Sequence, residues 1–375
     1  MLYVLLILYW LSIFFIFLFS IGQLYLVYVY QKNKHVVTTT AKRQLPEELP
    51  IVTVQLPIYN EKYVVERLLD SISRLEYPKD KLDIQLLDDS TDETTELARR
   101  KIASILQEKG IAITHLHRTH RKGFKAGALQ EGLIRAKGDF IAIFDADFLP
   151  PSDFLLKTIP LFDSPDIGAV QTRWGHLNDR YSLFTRLQSF GLDAHFCIEQ
   201  KGRNLAGFFI NFNGTAGIWR KACILDADGW HDDTLTEDLD LSYRAQLNGW
   251  KFRYLEEVVS PAELPVYVVD IKNQQFRWNK GGAQTAKKHL ARLWKAPFPW
   301  KVKFYATLHL LNSTVFLALT IATFISVILL FFQTHLTEYF YSTISLFWIG
   351  IFSIAIFYFY ATKVAHPQKY ISIFF

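Results

Sequence analysis

The feature that most constrains this chain is an uncharged apolar run near its N-terminus. No Asp, Glu, Lys or Arg occurs from Tyr3 to Tyr30, whereas a helix that crosses a bilayer core needs only about 20 apolar residues. A cleaved signal peptide is shorter and follows a basic stretch. Here the basic residues come after the run, at Lys32, Lys34, Lys42 and Arg43. The run therefore predicts an uncleaved membrane anchor.

Two more apolar runs lie near the other end, at about residues 308–332 and 339–361. The connection between them, Gln333 to Glu338, has no Lys or Arg, whereas Lys363 and Lys369 follow the last run. Basic residues are retained on the cytoplasmic side of a membrane. This pattern predicts an integral, multi-pass membrane protein whose long central segment is cytoplasmic.

The apolar ending "YISIFF" is typical of the start of another membrane segment, so we expect the C-terminal membrane region to be truncated. The net charge of +5 is modest, and we expect much of the excess to lie beside the membrane, facing anionic lipid. It does not indicate a nucleic-acid partner. Cys197 and Cys223 fall in the cytoplasmic segment and are expected to be free thiols.

Strand and helix patterns alternate through the central segment. Short β-branched runs predict strands at residues 51–57, 82–89, 111–116 and 140–147, and helical periodicity predicts helices between them. Such alternation is typical of a mostly parallel sheet covered by helices on both faces. The predicted boundaries are a membrane helix at 1–31, one cytoplasmic α/β domain at 32–285, an amphipathic interfacial segment at 286–306, and two membrane helices within 307–375.

Acidic pairs close two of these predicted strands. Asp145 and Asp147 close the fourth strand, and Asp88 and Asp89 close the second. Ligands bind beyond the carboxyl ends of strands in open α/β sheets. Two carboxylates one residue apart can share Mg²⁺ or Mn²⁺, although a solvated acidic turn has the same sequence. The second-strand pair could accept hydrogen bonds from a nucleotide or could cap the next helix.

A basic loop, "HRTHRKGFKAG", precedes the predicted helix that begins near Lys125. Basic residues at a helix N-terminus suit pyrophosphate, and a solvated basic surface is the alternative. The loop lacks the P-loop pattern G-x-x-x-x-G-K-[ST]. His115, His117 and His120 have no neighbouring Cys or carboxylate in the sequence, which makes a zinc site a poor interpretation.

The stretch "LTEDLDLSYRAQLNGW" predicts a helix with Thr236 at its N-cap and with Glu237 and Asp238 in its first turn. The helix dipole lowers the pKa of a carboxyl there, whereas burial and a neighbouring carboxylate raise it. An ionised Asp238 beside a ligand crevice could act as a general base. The alternative is that both acidic residues merely complement the dipole.

The stretch "QQFRWNKGG" combines side chains that suit a sugar and a diphosphate. Arg277 can fork onto phosphate oxygens, the indole of Trp278 can stack on a sugar ring, and Gln274 can bind hydroxyls. The following "AQTAKKHLARLWK" has an apolar and a basic face, which is typical of a helix lying on a membrane surface.

Taken together, the motifs resemble those of family 2 glycosyltransferases with the GT-A fold. The chain is similar to their membrane-bound processive branch, which has the pattern D, D-x-D, TED and Q-x-x-R-W. The wording is most similar to that of plant glucomannan and mannan synthases, in the cellulose synthase-like group, and their bacterial relatives. The resemblance covers about Ile51 to Lys288, and its motifs are PIYNE, LDDSTD, HRKGFKAGAL, FDADF, NGTAGIWR, TEDLDLSYRA and QQFRW.

The resemblance implies a role for each matching residue. Tyr59 and Glu61, with Asp88 or Asp89, would hold the base and ribose of a nucleotide-sugar donor. Lys125 would lie along the nucleotide.

On the chemical side, the resemblance implies that Asp145 and Asp147 bind Mg²⁺ or Mn²⁺ on the donor diphosphate. Asp238 would deprotonate the acceptor hydroxyl. The diphosphate and the acceptor sugar would be held by Gln274, Arg277 and Trp278.

The expected activity is therefore that of an inverting, membrane-anchored hexosyltransferase. It would use GDP-mannose or UDP- or GDP-glucose to extend a β-linked polysaccharide, with membrane lipids around it. Two alternatives remain: transfer of a single sugar to a lipid such as ceramide or diacylglycerol, and a non-catalytic membrane subunit of a polysaccharide synthase.

Overall fold

The computed structural model describes residues 2–33, 44–331 and 337–374. The chain divides into two units. A helical unit comprises Met1–Val36, Asp193–Phe208 and Gly282–Phe375, and an α/β unit comprises Val37–Leu192 and Phe209–Gly281. The α/β unit falls within residues 32–285, a range that also includes Asp193–Phe208 of the helical unit.

The α/β unit is built on one seven-stranded sheet with the order β3-β2-β1-β4-β6-β5-β7. Its strands are β1 (Val52–Ile58), β2 (Leu82–Asp88), β3 (Ile113–His117), β4 (Phe140–Ile143), β5 (Ile167–His176), β6 (Gly217–Arg220) and β7 (Lys251–Ala262). All neighbours pair in parallel except β6, which is antiparallel to both β4 and β5. The predicted mostly parallel sheet is confirmed.

Every residue of β1 is buried although Thr53 and Gln55 alternate with its apolar residues, so both faces of this strand are covered. The other elements of this unit are helices. They are α2 (Val65–Ile72), α3 (Thr94–Lys109), α4 (Phe124–Arg135), α5 (Phe154–Thr158), α6 (Leu183–Ala194), α8 (Lys221–Asp226), α9 (Glu237–Leu247) and α10 (Val268–Lys295), the short α7 (Lys201–Leu205) lying in the helical unit. The predicted helices are present, although α2 ends at Ile72, before Pro78. Asp92 accepts a hydrogen bond at 3.0 Å from the amide of Thr94, the first residue of α3.

The helical unit contains α1 (Leu2–Asn33), α7, α11 (Trp300–Leu310), α12 (Thr314–Leu330), α13 (Thr337–Ala365) and α14 (Tyr370–Phe374), with a π-helical turn at His195–Gln200. Residues of α1 such as Leu6, Ile13 and Ile16 share a buried cluster with Ala322 and Ile325 of α12. With Tyr9 of α1 and with Ala318 and Leu329 of α12, the buried positions recur every three or four residues, so one stripe of each helix is buried.

Two helices among the described residues are long and apolar enough to cross a membrane, Leu2–Asn33 and Ser345–Ala365. A third candidate is the pair Trp300–Leu310 and Thr314–Leu329, which is bent by 70°. The apolar run predicted from residue 308 is thus interrupted before α12. Residues 34–43 and 332–336 lie outside the described residues, and with them Lys34, Lys42, Arg43 and most of the connection after α12 that has no Lys or Arg. The predicted boundary at residue 285 falls inside α10.

Candidate active site

The carboxyl ends of β1, β2 and β4 meet at one edge of the sheet, because these strands run in parallel. Asp145 and Asp147 lie just beyond β4, where the Asp145 amide donates a hydrogen bond to the Thr215 hydroxyl at 2.9 Å. Both aspartates are partly exposed. The predicted D-x-D therefore lies on a turn that is held in place from the β6 side of the sheet.

Glu61, on the loop after β1, interacts electrostatically with these two aspartates. Burial and then the charges of Asp145 and Asp92 raise the pKa of Glu61 to about 7. Burial and then Asp145 raise the pKa of Asp147 to about 7 as well. Carboxylates that raise one another's pKa lose this repulsion when a divalent cation binds among them. The oxygen-only donor set of Asp145 and Asp147 fits Mg²⁺ or Mn²⁺.

Lys125, near the start of α4, connects this group to a second acidic group. Its ammonium contacts the Asp145 carboxylate and donates to the Gly214 carbonyl at 3.0 Å. Burial alone lowers the pKa of a lysine. Here the charges of Asp145 and Glu237 outweigh burial and hold the pKa of Lys125 above its usual value. A charged lysine therefore lies between two sets of carboxylates.

The second acidic group is the first turn of α9. Burial, followed by the charge of Glu237, raises the pKa of Asp238 to about 7, and Lys125 opposes this rise. The Leu239 amide donates to Asp238 Oδ1 at 2.8 Å. The sequence left open whether the helix dipole or burial would dominate, and in the structure burial and the neighbouring carboxylate dominate. A carboxylate with this pKa is suited to accept a proton near neutral pH.

The first half of α10 carries the residues that the sequence predicts to bind phosphate and sugar. Gln274, Arg277 and Trp278 are spaced by three and four residues, so they share one face of the helix. Arg277 acts on Glu237, whose pKa is raised by burial and lowered in part by Lys125 and Arg277. Farther along this face, Gly281 packs closely against Thr236, which immediately precedes α9. Gln274 and Trp278 are both half-buried.

The predicted pair after β2 is different, because other side chains already occupy its oxygens. Asp88 is fully buried, and its carboxylate bonds the ring of His115 at 2.8 Å and the Ser90 amide at 2.8 Å. Burial would raise the pKa of Asp88, but hydrogen bonds from His115, Ser90 and Thr95 outweigh it and lower this pKa to about 2. Arg118 forks onto both oxygens of Asp89, with Nε at 2.6 Å.

Tyr59 lies on the loop after β1 and is 37% exposed. The Arg121 guanidinium stacks on its ring at 3.3 Å from the centroid. The next residue, Asn60, has a left-handed backbone with φ of 57° and bonds Ser90 and Thr91, each at 2.9 Å. The roles of Arg121 and Asn60 were missed by the sequence interpretation. An Asn after a strand was the available signal, because Asn tolerates this conformation better than most residues.

Another group of possible metal ligands occurs among the described residues. His231, Asp233 and Asp240 each place one ligand atom within 4.8 Å of the others. However, Asp240 is fully buried, and its carboxylate already accepts a hydrogen bond from Arg244 Nε at 2.8 Å. A buried charge requires such a partner, so Asp240 is explained by its ion pair. The D-x-D edge remains the better cation site.

The family profile described as "Glycosyltransferase like family 2" matches residues 50–281, which is more than half of the chain. The chain belongs to this family. Residues 50–281 include every strand of the sheet and the face of α10 described above. All predicted site residues thus lie within the family 2 glycosyltransferase region.

Similar proteins include plant polysaccharide enzymes. The family 2 chain is 44% identical to probable glucomannan 4-beta-mannosyltransferase 7 of Oryza sativa subsp. japonica over 245 residues, which cover 64% of this chain and 42% of that protein. It is 41% identical to glucomannan 4-beta-mannosyltransferase 2 of Arabidopsis thaliana over 277 residues, covering 73% and 51% respectively. The matched region thus spans about half the length of these relatives.

The mannosyltransferase PcManGT from Pyrobaculum calidifontis, solved with GDP-Man and Mn²⁺, has a similar structure. The TM-score is 0.64 at 20% identity, over 94% of this chain and 99% of that one. At this identity the similarity concerns the fold. The α/β unit of this family 2 chain therefore has the GT-A fold.

Proposed function

We propose that this chain is a membrane-anchored, inverting hexosyltransferase that extends a β-linked polysaccharide from a nucleotide sugar. The observation that carries this proposal is the arrangement around Lys125. On one side lie Asp145 and the D-x-D edge, and on the other lie Glu237 and Asp238. One side is suited to a metal-bound diphosphate and the other to the hydroxyl that attacks the sugar.

Mg²⁺ or Mn²⁺, held by Asp145 and Asp147, would supply neutralisation of the departing diphosphate. Arg277 would add positive charge to the same oxygens, since this exposed residue is close enough to Glu237 to lower the pKa of that carboxyl. Tyr59 with Arg121, and the loop held by Asp88 and Asp89, line the side where the base and ribose would bind.

Asp238 accepts the proton of the acceptor hydroxyl as that oxygen attacks the anomeric carbon. The bond to the diphosphate breaks in the same step, so an α-linked donor gives a β-linked product. Gln274 and Trp278 hold the acceptor sugar, because they share the α10 face that borders α9. A general base contributes about 100-fold to 10,000-fold in rate.

The donor we expect first is GDP-mannose, because the similar plant proteins are named as mannosyltransferases. UDP-glucose and GDP-glucose are the other donors to test. The candidate spans support an integral membrane protein in contact with lipids. We propose a multi-pass arrangement with the catalytic domain in the cytoplasm, from the distribution of Lys and Arg around the apolar runs.

The test is to offer radiolabelled GDP-mannose, GDP-glucose and UDP-glucose to membranes that contain the chain. We expect labelled material that stays at the origin of a thin-layer plate, loss of synthesis with EDTA, and recovery with Mn²⁺ or Mg²⁺. A labelled glycolipid that migrates as one discrete spot would show that the acceptor is a lipid and not a polysaccharide. Absence of transfer from every donor would contradict the proposed enzyme.

The variant Asp238→Asn separates an enzyme from a non-catalytic subunit. Removal of the base should lower transfer by at least about 100-fold. Binding of GDP, measured by calorimetry, should stay close to that of the unchanged chain, because the proposal assigns Asp238 to the acceptor hydroxyl and not to the nucleotide. Normal transfer by this variant would remove Asp238 from the catalytic role.

A further inference from the structure

Two adjacent glycines, Gly281 and Gly282, lie in the middle of α10. A glycine inside a helix costs about 0.5–1 kcal/mol relative to alanine. Neither residue has a positive φ, so backbone conformation does not explain them. The remaining reason for a glycine at either position is a neighbouring atom that leaves no room for a side chain.

The surroundings of the two glycines are opposite. A Cβ on Gly281 would lie 2.5 Å from Thr236 Cγ2, 2.6 Å from Thr236 Oγ1 and 2.9 Å from the Thr236 amide nitrogen. Carbon atoms do not approach so closely, so α10 and Thr236 would have to separate. A Cβ on Gly282 would meet only Ser313 Oγ, at an ordinary 3.5 Å. Gly281 therefore permits a close contact, and Gly282 serves as its natural control.

This contact lies between the two halves of the proposed chemistry. Thr236 immediately precedes α9, whose first residues are Glu237 and Asp238. Gly281 follows Arg277 by four residues and Trp278 by three, so it lies on the same face of α10. The charge of Arg277 also lowers the pKa of Glu237, which agrees with the approach of Gly281 to Thr236. A shift at Gly281 must therefore move Asp238 relative to Arg277 and Trp278.

We propose that Gly281 is a positioning residue for sugar transfer. Its missing side chain sets the separation between the base, Asp238, and the α10 face that holds the acceptor and the diphosphate. This role rests on the proposed function. A misplacement of about 1 Å can cost about 100-fold in rate. The cost falls mainly on the transfer step, since Glu61, Asp145 and Asp147 hold the donor from other loops and Arg277 acts on the diphosphate as it departs.

The experiment compares Gly281→Ala with Gly282→Ala in the full membrane-bound chain. We expect Gly281→Ala to lower kcat by about 30-fold to 100-fold, with the donor KM and the GDP affinity changed by less than about threefold. Gly282→Ala should keep wild-type kcat and melt at the same or a higher temperature. Equal activity of all three proteins, or equal losses in both variants, would overturn the proposal.

A second cycle tests the contact itself. Thr236→Ala removes two of the three close approaches, so Gly281→Ala should cost at least fivefold less in kcat when added to Thr236→Ala than when added to the wild type. The same pair should show a smaller loss of melting temperature than additivity requires. This cycle also applies if Gly281→Ala alone is too unstable for kinetics. Additive losses would overturn the proposal.

The readouts distinguish this inference from the proposed function. Transfer by the wild type together with an unaffected kcat in Gly281→Ala would overturn the positioning role alone. A melting temperature lowered without a change in kcat would do the same, since it would reduce the contact to a structural one. Absence of transfer by the wild type would overturn the positioning role and the proposed function. This holds even if the melting temperatures of the double-mutant cycle showed that Gly281 and Thr236 are in contact.

Discussion

The loops after β2 and β4 each carry a pair of aspartates at the same edge of the sheet, but in opposite surroundings. Asp88 and Asp89 are buried, and His115 and Arg118 occupy their oxygens. Asp145 and Asp147 are partly exposed, and burial and mutual repulsion raise the pKa of Asp147 to about 7. The acidic pair itself is common to both loops.

The difference shows that partners, and not the acidic motif, decide what a carboxylate pair can do. A carboxylate whose oxygens are bonded to a histidine ring or a guanidinium stabilises the fold, and few of its lone pairs remain for a ligand. Cation binding relieves the repulsion between a carboxylate and its acidic neighbours, which makes binding at such a site more favourable. We therefore expect substitutions in the two loops to affect different measurements.

The largest effect is expected at the β4 loop. Asp145→Asn or Asp147→Asn should lower sugar transfer by about 1,000-fold, since the metal stabilises the departing diphosphate by several kcal/mol. For Asp147→Asn the melting temperature should stay unchanged or rise, because a repelled charge is removed, whereas Asp145→Asn also removes the ion-pair partner of Lys125 and should lower it. Transfer assays with Mn²⁺ and thermal melting measure the two quantities. Full activity of both variants would contradict the metal assignment and remove the contrast between the loops.

The opposite result is expected at the β2 loop. Arg118→Ala leaves the Asp89 carboxylate buried without its forked partner, which costs about 3 kcal/mol in unfolding free energy. Chemical denaturation of the purified chain measures this loss. The control is Arg99→Ala on α3, whose exposed pair with Glu96 should contribute little. Equal stability of the two variants would show that Asp89 does not depend on Arg118.

The sequence predicted the local parts of this arrangement and missed those that depend on distant segments. The strand before the D-x-D and the first turn of α9 follow from short patterns, and both are confirmed. The partners of the β2 aspartates could not be predicted, because His115 lies 27 residues after Asp88 and Arg118 lies 29 residues after Asp89.

Those partners depend on sheet register, in which Leu86 pairs with His115 and Asp88 with His117. Diagonal neighbours on one face of a sheet can touch, which brings His115 to Asp88. The antiparallel insertion of β6 and the contact of Gly281 with Thr236 were missed for the same reason. Neither has a local signal beyond a short apolar run or a pair of glycines.

A smaller effect is expected from pH. Asp238 acts only when deprotonated, and its pKa of about 7 means that kcat should be full above about pH 8 and fall tenfold per unit below pH 7. The measurement is kcat against pH at saturating donor and metal. Glu237→Gln removes the like charge that raises this pKa, so the acid limb should move to lower pH. An unmoved limb would show that another group controls the profile.

The smallest effect on stability is expected from substitution of Asp92, a third aspartate in the β2 loop. Asp92 is exposed, and its carboxylate accepts a hydrogen bond from the Thr94 amide at 3.0 Å. Asp92→Ala should therefore lower the melting temperature less than Arg118→Ala does, whereas Asp92→Asn should keep this hydrogen bond and match the wild type. Transfer should stay within about twofold for both variants. A loss of transfer as large as that of Asp147→Asn would place the β2 loop in the reacting site and would end the distinction between the two acidic pairs.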